Sequence, residues 1–333
     1  MSYARIAGTG LYAPGEPIPN DELMTLAGIE FDADRYRDKI GIEKRHIARL
    51  RGLEETTADF AEHAARRALS DAKMDASDVD LFIVATDTPE YISPPTAVLL
   101  QGRLQGGQKN SGSFDINASC AGFATAYDTA ARIVANDPDV HTAVVTGVYN
   151  MPAYARDGDA FGLSIFADGA GSFVITKADE AGYVATARVS DGTQWDFVGV
   201  YAGGTKRPIT HAVLDEGTYG LQLLKRLPGD RNVKLWPDVV KRVAARAGFA
   251  INDIDQVIYT QINRSVIEQV NEILGVPMTK SHTIMDRYGY TGSACVPMAF
   301  ADAVAQGSVN RDDRVVFVAS GAGLAVTANA FIY

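Results

Sequence analysis

Two apolar periods alternate along this chain. In ASDVDLFIVATDT (Ala76 to Thr88) and again in INDIDQVIYTQIN (Ile251 to Asn263), a short acidic approach leads into a β-branched run that predicts a buried strand. Other stretches carry apolar residues at helical spacing, as in TTADFAEHAARRAL (Thr56 to Leu69) and WPDVVKRVAARAGF (Trp236 to Phe249). The first opens on a threonine suited to cap a helix, and the second has a proline suited to a first turn. Strands alternating with helices predict a mixed α/β protein with helices packed on sheets.

The pattern also repeats. Each half continues into a second strand, HTAVVTGVYN from His141 and DRVVFVASGAG from Asp313. A Gly-Ala-Gly then recurs, in FADGAGSFVIT (Phe166 to Thr176) and in SGAGLAVTANAFIY (Ser320 to Tyr333). These echoes predict two copies of one layered unit, with residues 1–178 as the first half and 179–333 as the second.

Composition narrows the function classes. A chain of 333 residues with 47% hydrophobic side chains can bury a large core, as two domains or one duplicated one. With 31 basic against 41 acidic residues, the formal charge of -10 repels a phosphate backbone, so no nucleic-acid partner is expected. The start, MSYARIAGTGLYAPG, has no long apolar core behind a basic segment, and no apolar run approaches the ~18 residues of a membrane span. The expectation is a cytoplasmic enzyme with no membrane partner. Two cysteines in a chain of this size make no disulfide framework, so both are expected as free thiols.

One of them, Cys120, stands in DINASCAGFATAYD, where an extended SFDIN gives way to a helix-like CAGFATAYDTAARIVA with Phe123, Tyr127, Ala130 and Ile133 on one face. A thiol at a helix N-terminus meets unpaired N–H groups and the positive end of the macrodipole, which lower its pKa and favour a nucleophile. A small buried hydrophobe is the other reading, since most buried thiols are inert. The small neighbours Ala118, Ser119, Ala121 and Gly122 serve close approach of a ligand or tight helix packing alike.

At this point the chain resembles the β-ketoacyl-acyl-carrier-protein synthase III family of the thiolase-like superfamily. The resemblance runs nearly end to end through GIEKRHIA (Gly41 to Ala48), DINASCAGF, FADGAG, TQIN (Thr260 to Asn263), DRYGYTGSACVP (Asp286 to Pro297) and SGAGLAVTANAF. It implies a five-layered αβαβα fold from two pseudo-duplicated halves and a homodimer, and it makes Cys120 the residue that takes an acyl group from a thioester. The oxyanion formed on attack needs preorganised N–H donors. The resemblance supplies them from the backbones of Cys120 and Ala322, in a Gly321-Ala322-Gly323 turn that would otherwise be an ordinary tight turn. It also makes Phe123, Asn263, Gly321 and Gly323 substrate contacts. In DTPEYISPPTAV (Asp87 to Val98), which borders the acyl pocket in the family, it points to Tyr91 and Ile92.

The second half of the site departs from the family pattern. Where condensing members carry a histidine and an asparagine, this chain has Thr260 and Tyr290. Neither is basic near neutral pH, although each can donate a hydrogen bond. The helix after TQIN continues RSVIEQVNEIL, whose Glu268 and Glu272 disfavour an acidic carrier protein. Lys39 keeps a positive charge near the expected coenzyme A entrance, while the tryptophan that usually stacks on the adenine is replaced near Arg35. The stretch from Val198 to Gly220 reads either as an acceptor entrance or as a surface excursion.

Of the five histidines, His46 and His63 read as structural or solvated, and nothing in the sequence brings His211 or His282 to Cys120. No metal spacing or dinucleotide fingerprint is present, so no cofactor is expected beyond an acyl-CoA or acyl-carrier thioester as substrate. The leading expectation is an acyltransferase that loads Cys120 and passes the acyl group to a small acceptor in specialised biosynthesis. A carbon-carbon-forming synthase using Thr260 and Tyr290 as donors and a non-catalytic partner subunit are the alternatives.

Overall fold

Every β-branched run picked out by its pattern is a strand in the computed structural model, which describes residues 3–333. The strands of the two main sheets are β1 (Tyr3–Tyr12), β2 (Leu81–Ala85), β3 (Gly112–Ile116), β4 (Thr142–Tyr149), β5 (Gly169–Ala178), β6 (Tyr183–Gln194), β7 (Gln256–Tyr259), β8 (Arg314–Gly321) and β9 (Gly323–Ile332). The first sheet runs β1-β5-β4-β2-β3 and the second β6-β9-β8-β7. In the first, β1 and β4 lie antiparallel to β5, and β2 lies parallel to β4 and β3. In the second, β6 and β8 lie antiparallel to β9, and β7 lies parallel to β8. The second sheet therefore repeats the order and direction of the first, strand for strand, without a counterpart of β3. The echoed strands occupy equivalent places in the two sheets, whereas the first Gly-Ala-Gly starts β5 and the second spans the turn from β8 to β9.

Six longer helices complete the layers: α1 (Thr57–Ala72), α2 (Thr96–Gln105), α3 (Gly122–Asn136), α4 (Arg231–Ala247), α5 (Arg264–Leu274) and α6 (Cys295–Ala305). Helices α1 and α2 cover the outer face of the first sheet, and α4, with α5 beside it, covers the second. Between the sheets lie α3 and α6, which touch strands of both. This is the five-layered thiolase-like arrangement. Position explains composition: α6, enclosed on both sides, buries Cys295, Val296, Met298, Ala299, Phe300 and Ala303, whereas α4 buries one stripe through Trp236, Val239, Val240 and Val243. Glycines let α6 approach the first sheet, since a Cβ on Gly171 would stand 2.6 Å from the Met298 nitrogen and one on Gly147 2.6 Å from the Ser293 oxygen.

Helix starts follow local chemistry, with one correction. Thr56 donates its N–H to Asp59 Oδ2 at 2.8 Å, closing the first turn of α1. Helix α4 does not begin at the Trp236-Pro237 step but at Arg231, with Pro237 inside it. Burial decides the case: Trp236 is fully enclosed and stacks on Tyr259 with ring centroids 5.3 Å apart, so the apolar stripe continues through the proline despite the lost N–H.

The buried Asp168, just before β5, ties the halves of the GIEKRHIA and FADGAG segments together. Its N–H donates to the His46 carbonyl and its Oδ2 accepts from the Ala48 N–H, each at 2.8 Å, while Oδ1 has no partner. Burial pushes its pKa up to about 7, against an unfolded value of about 3.9. The neutral form is thus favoured by folding, so its contribution is complete below pH ~4 and is lost as pH rises to about 7. Urea unfolding from pH 4.5 to 8 should show wild-type stability falling, relative to Asp168→Asn, by up to ~1.4 kcal/mol per pH unit in that window. Parallel curves for the two proteins would refute the assignment.

Candidate active site

Strand β3 ends at Ile116, and the chain turns sharply before α3 begins at Gly122. Ser119 adopts a left-handed φ of 50°, uncommon for a side chain with a Cβ, which its neighbours hold in place. Its N–H donates to Asn117 Oδ1 at 3.0 Å, and its carbonyl accepts from the Gly122 N–H at 2.8 Å. This elbow sets Cys120, only 8% exposed, into the wall of a cavity of about 440 Å³. The cavity is mostly apolar, with Phe161, Ile165, Phe166 and Val266 among its walls. A short hairpin, Val198–Val200 paired with Leu221–Leu223, closes one side through Val198, Gly199, Val200 and Leu221. The stretch from Val198 to Gly220 thus forms part of the cavity at its beginning.

The thiol's electrostatics reverse the sequence expectation. Burial, and then the charge of Asp87, push the Cys120 pKa well above its ordinary value. At rest Cys120 is a neutral thiol. The Tyr290 hydroxyl, at the same cavity, acts the other way and favours the thiolate.

Asp87 is the group that the sequence did not single out. Strands β2 and β3 lie parallel with Ala85 opposite Ile116, so the residues leaving their C-terminal ends emerge side by side. There Ser119 donates its hydroxyl to Asp87 Oδ2 at 2.8 Å, and the same hydroxyl oxygen lies 3.9 Å from Cys120 Sγ. The other oxygen, Oδ1, is shielded from solvent with no hydrogen-bond partner, and Asp87 lines the cavity. Burial raises its pKa above the ordinary carboxyl value. A carboxylate with a vacant lone pair therefore stands beside the thiol, linked to it by one hydroxyl. Its sequence signal was its place just past a buried parallel strand, where α/β proteins gather ligand-binding groups.

The expected residues separate into those at the cavity and those elsewhere. Tyr290, 2% exposed, Asn263, Gly321 and Ala322 all line it. Gly321 meets the elbow so closely that a Cβ would fall 2.8 Å from both the Cys120 nitrogen and the Ala118 oxygen. Asn263 precedes α5, and its Oδ1 accepts from the Ser265 hydroxyl at 2.8 Å. Thr260 is a correction: it is fully buried outside the lining, its Oγ1 accepts from the Ser320 N–H at 2.8 Å, and its hydroxyl faces the Val318 carbonyl at 3.5 Å. Backbone groups already engage it.

Phe123 is a second correction, since it packs in the core against Phe173 with centroids 4.8 Å apart rather than lining the cavity. Gly323, at φ 125°, also stands outside the lining. Tyr91 and Ile92 are 56% and 85% exposed and do not reach this chain's cavity. Among the described residues no histidine lines it: His282 is bound to Asp302 at 2.7 Å, His211 is exposed on a short helix, His46 contacts the Pro14 and Gly15 carbonyls, and His63 pairs with Glu55. Three further cavity groups escaped the sequence reading: Tyr149, Arg231 and Asn232.

A duplicated five-layered fold with one cysteine at a strand-to-helix elbow, opening into an apolar cavity, defines a thiolase-like acyl-transfer or condensing enzyme. Models of 3-oxoacyl-[acyl-carrier-protein] synthase III match residues 114–192, and models of its C-terminal part match residues 244–333. A β-ketoacyl-[acyl-carrier-protein] synthase III of Xanthomonas campestris is 34% identical over 96% of this chain and 95% of its own length. The crystal structure of 3-oxoacyl-[acyl-carrier-protein] synthase III from Aquifex aeolicus superposes with a TM-score of 0.85 at 28% identity, covering 99% of this chain and all 100% of that one. The priming β-ketosynthase of a polyketide biosynthetic pathway does so with a TM-score of 0.87 at 26% identity, over 99% and 96% of the two chains. The chain belongs to the β-ketoacyl-acyl-carrier-protein synthase III family.

Thr260→Val tests the placement of that hydroxyl. Removing it leaves the buried Ser320 N–H without an acceptor, so chemical unfolding should show a loss of about 1–3 kcal/mol with the rate of Cys120 acylation changed less than about threefold. A large loss of acylation in a fully stable variant would contradict it.

Proposed function

We propose that this enzyme is an acyltransferase that carries an acyl group on Cys120 and passes it to a small acceptor without decarboxylation, with Asp87 as the proton acceptor. One observation carries the reading: the basic group beside the thiol is a buried carboxylate with an unpartnered oxygen, and among the described residues no imidazole lines the cavity. In loading, the Cys120 proton passes to the Ser119 oxygen while the Ser119 proton passes to Asp87. The sulfur then adds to the thioester carbonyl. The oxyanion is held by the backbone N–H groups of Cys120 and Ala322, and its collapse expels the coenzyme A or carrier thiolate, which takes the proton back from Asp87.

In transfer, an acceptor hydroxyl or amine adds to the carbonyl of acyl-Cys120 as Asp87 takes its proton. Cys120 leaves, stabilised by the Tyr290 hydroxyl, and recovers that proton through Ser119. A base near the carbonyl suits this step, whereas decarboxylation calls for donors to an enolate, and Thr260 is buried outside the lining with its hydroxyl turned to the Val318 carbonyl. The reading favours coenzyme A over an acidic carrier protein, because Glu268 and Glu272 stand on α5. It makes the enzyme a cytoplasmic homodimer in specialised biosynthesis, with the exposed Tyr91 and Ile92 at the interface between copies.

Intact mass spectrometry with a panel of acyl thioesters tests it. Wild type should gain one acyl mass and Cys120→Ala none; a wild type that stays unloaded would favour the non-catalytic subunit. Malonyl-CoA should release no carbon dioxide during turnover, and stoichiometric release would favour the condensing alternative.

Because Asp87 must be ionised and burial raises its pKa, the transfer rate should rise with pH along a limb displaced above ~4. Asp87→Asn should abolish that limb and slow transfer by roughly 10²- to 10⁴-fold. An unchanged pH profile in that variant would remove Asp87 from the mechanism.

A further inference from the structure

Arg231 begins α4 and lines the catalytic cavity, half-buried. Among other partly enclosed arginines, Arg5 pairs with Glu180 and Asp312, Arg51 with Glu22 and Arg287 with Asp302, while Arg156 donates to the Gly217 carbonyl. Even Arg45, fully buried without a carboxylate, is bound by the Asn20 side chain and the Ile18 and Ser164 carbonyls. Arg231 donates from Nη1 to the neutral Gln194 Oε1 at 3.2 Å, and among the described residues no Asp or Glu pairs with it. Tyr290 and Cys120 line the same cavity as the guanidinium. Both groups are neutral at rest. A cation drawn partly out of water with no counter-ion is stabilised by an anion that arrives with the ligand.

The next residue adds a second polar group to the same corner. Asn232 also lines the cavity, and its side-chain oxygen is shielded from water with no hydrogen-bond partner. Such an amide is an unused polar handle, and it can turn its NH₂ toward an acceptor. Elsewhere the walls are largely apolar, and Asp87 repels negative charge near Cys120, so the Arg231–Asn232 corner is where an anionic substituent would lodge. A guanidinium fork beside an amide donor matches a planar carboxylate.

We propose that Arg231 and Asn232 bind a carboxylate of the substrate, either as the free end of a dicarboxylic acyl thioester or as the acid group of the acceptor. This rests on the acyl-carrying role of Cys120. Two arms distinguish the sources. In the loading arm, succinyl-CoA and butyryl-CoA compete for Cys120, and the acyl masses gained are compared. In the transfer arm, acetyl-loaded enzyme is offered β-alanine beside propylamine and 3-hydroxybenzoate beside phenol, and the loss of acetyl mass is timed.

In at least one arm the carboxylate-bearing compound should be preferred. That preference should fall by about tenfold or more in Arg231→Gln and return only in part in Arg231→Lys, which keeps the charge without the fork. Because each variant supplies its own neutral reference, a general loss of fold or activity does not imitate this result. The absence of a preference in both arms, or one undiminished in Arg231→Gln, would overturn the proposal while leaving acyl loading intact. Failure of wild type to accept acetyl or butyryl groups at all would remove the Cys120 reading, and this proposal with it.

Discussion

The bond from the Ser119 hydroxyl to Asp87 Oδ2 holds a carboxylate against a buried thiol, and the chemistry of the site depends on it. Burial raises both acids, and the negative charge of Asp87 raises the thiol further. The carboxyl starts from the lower value, so the charge of the resting pair resides on oxygen and the sulfur keeps its proton. Such a nucleophile is quiet until a thioester arrives and the proton can move along the hydroxyl. That protects a thiol that would otherwise react with any electrophile able to enter.

The duplicated scaffold makes this juxtaposition possible. Two adjacent parallel strands, β2 and β3, end in register and deliver Asp87 and the elbow to the same spot. From the second half, β8 delivers Gly321 against the Cys120 backbone, in a space no side chain could share. The two Gly-Ala-Gly segments differ in place and purpose: Gly171 lies within β5 and admits the buried helix α6, whereas Gly321 ends β8 and admits the nucleophile's elbow. Arg231 and Asn232 come from the start of α4, an outer-layer helix of the second half, and add polar groups to a cavity otherwise walled largely by apolar residues.

The layered architecture was legible because buried parallel strands must be apolar on both faces, which leaves runs such as LFIVA and QVIY that no exposed segment needs. Cys120 was legible from its small neighbours and from the resemblance around it. Its pKa was misjudged because a helix terminus, worth about half a charge, was weighed without desolvation and without Asp87. The start of α4 was misplaced because proline is a strong local signal, while the burial of Trp236 is a tertiary one. Thr260 was given a catalytic position although its backbone partners, Ser320 and Val318, lie on the neighbouring strand β8 and become visible only when the sheet is assembled. For the same reason Arg231 carried no signal of its own, and Asp87 only that of its place after a buried strand: their meaning lies in what stands opposite.

The state of the resting thiol is the most direct test. Thiolate absorbance near 240 nm, recorded against pH for wild type and for Cys120→Ala, isolates the titration of this sulfur by difference. The account predicts no step from Cys120 below about pH 9, and a step that moves downward in Asp87→Asn once the neighbouring charge is gone. A thiolate already formed near or below pH ~7, insensitive to Asp87, would contradict it.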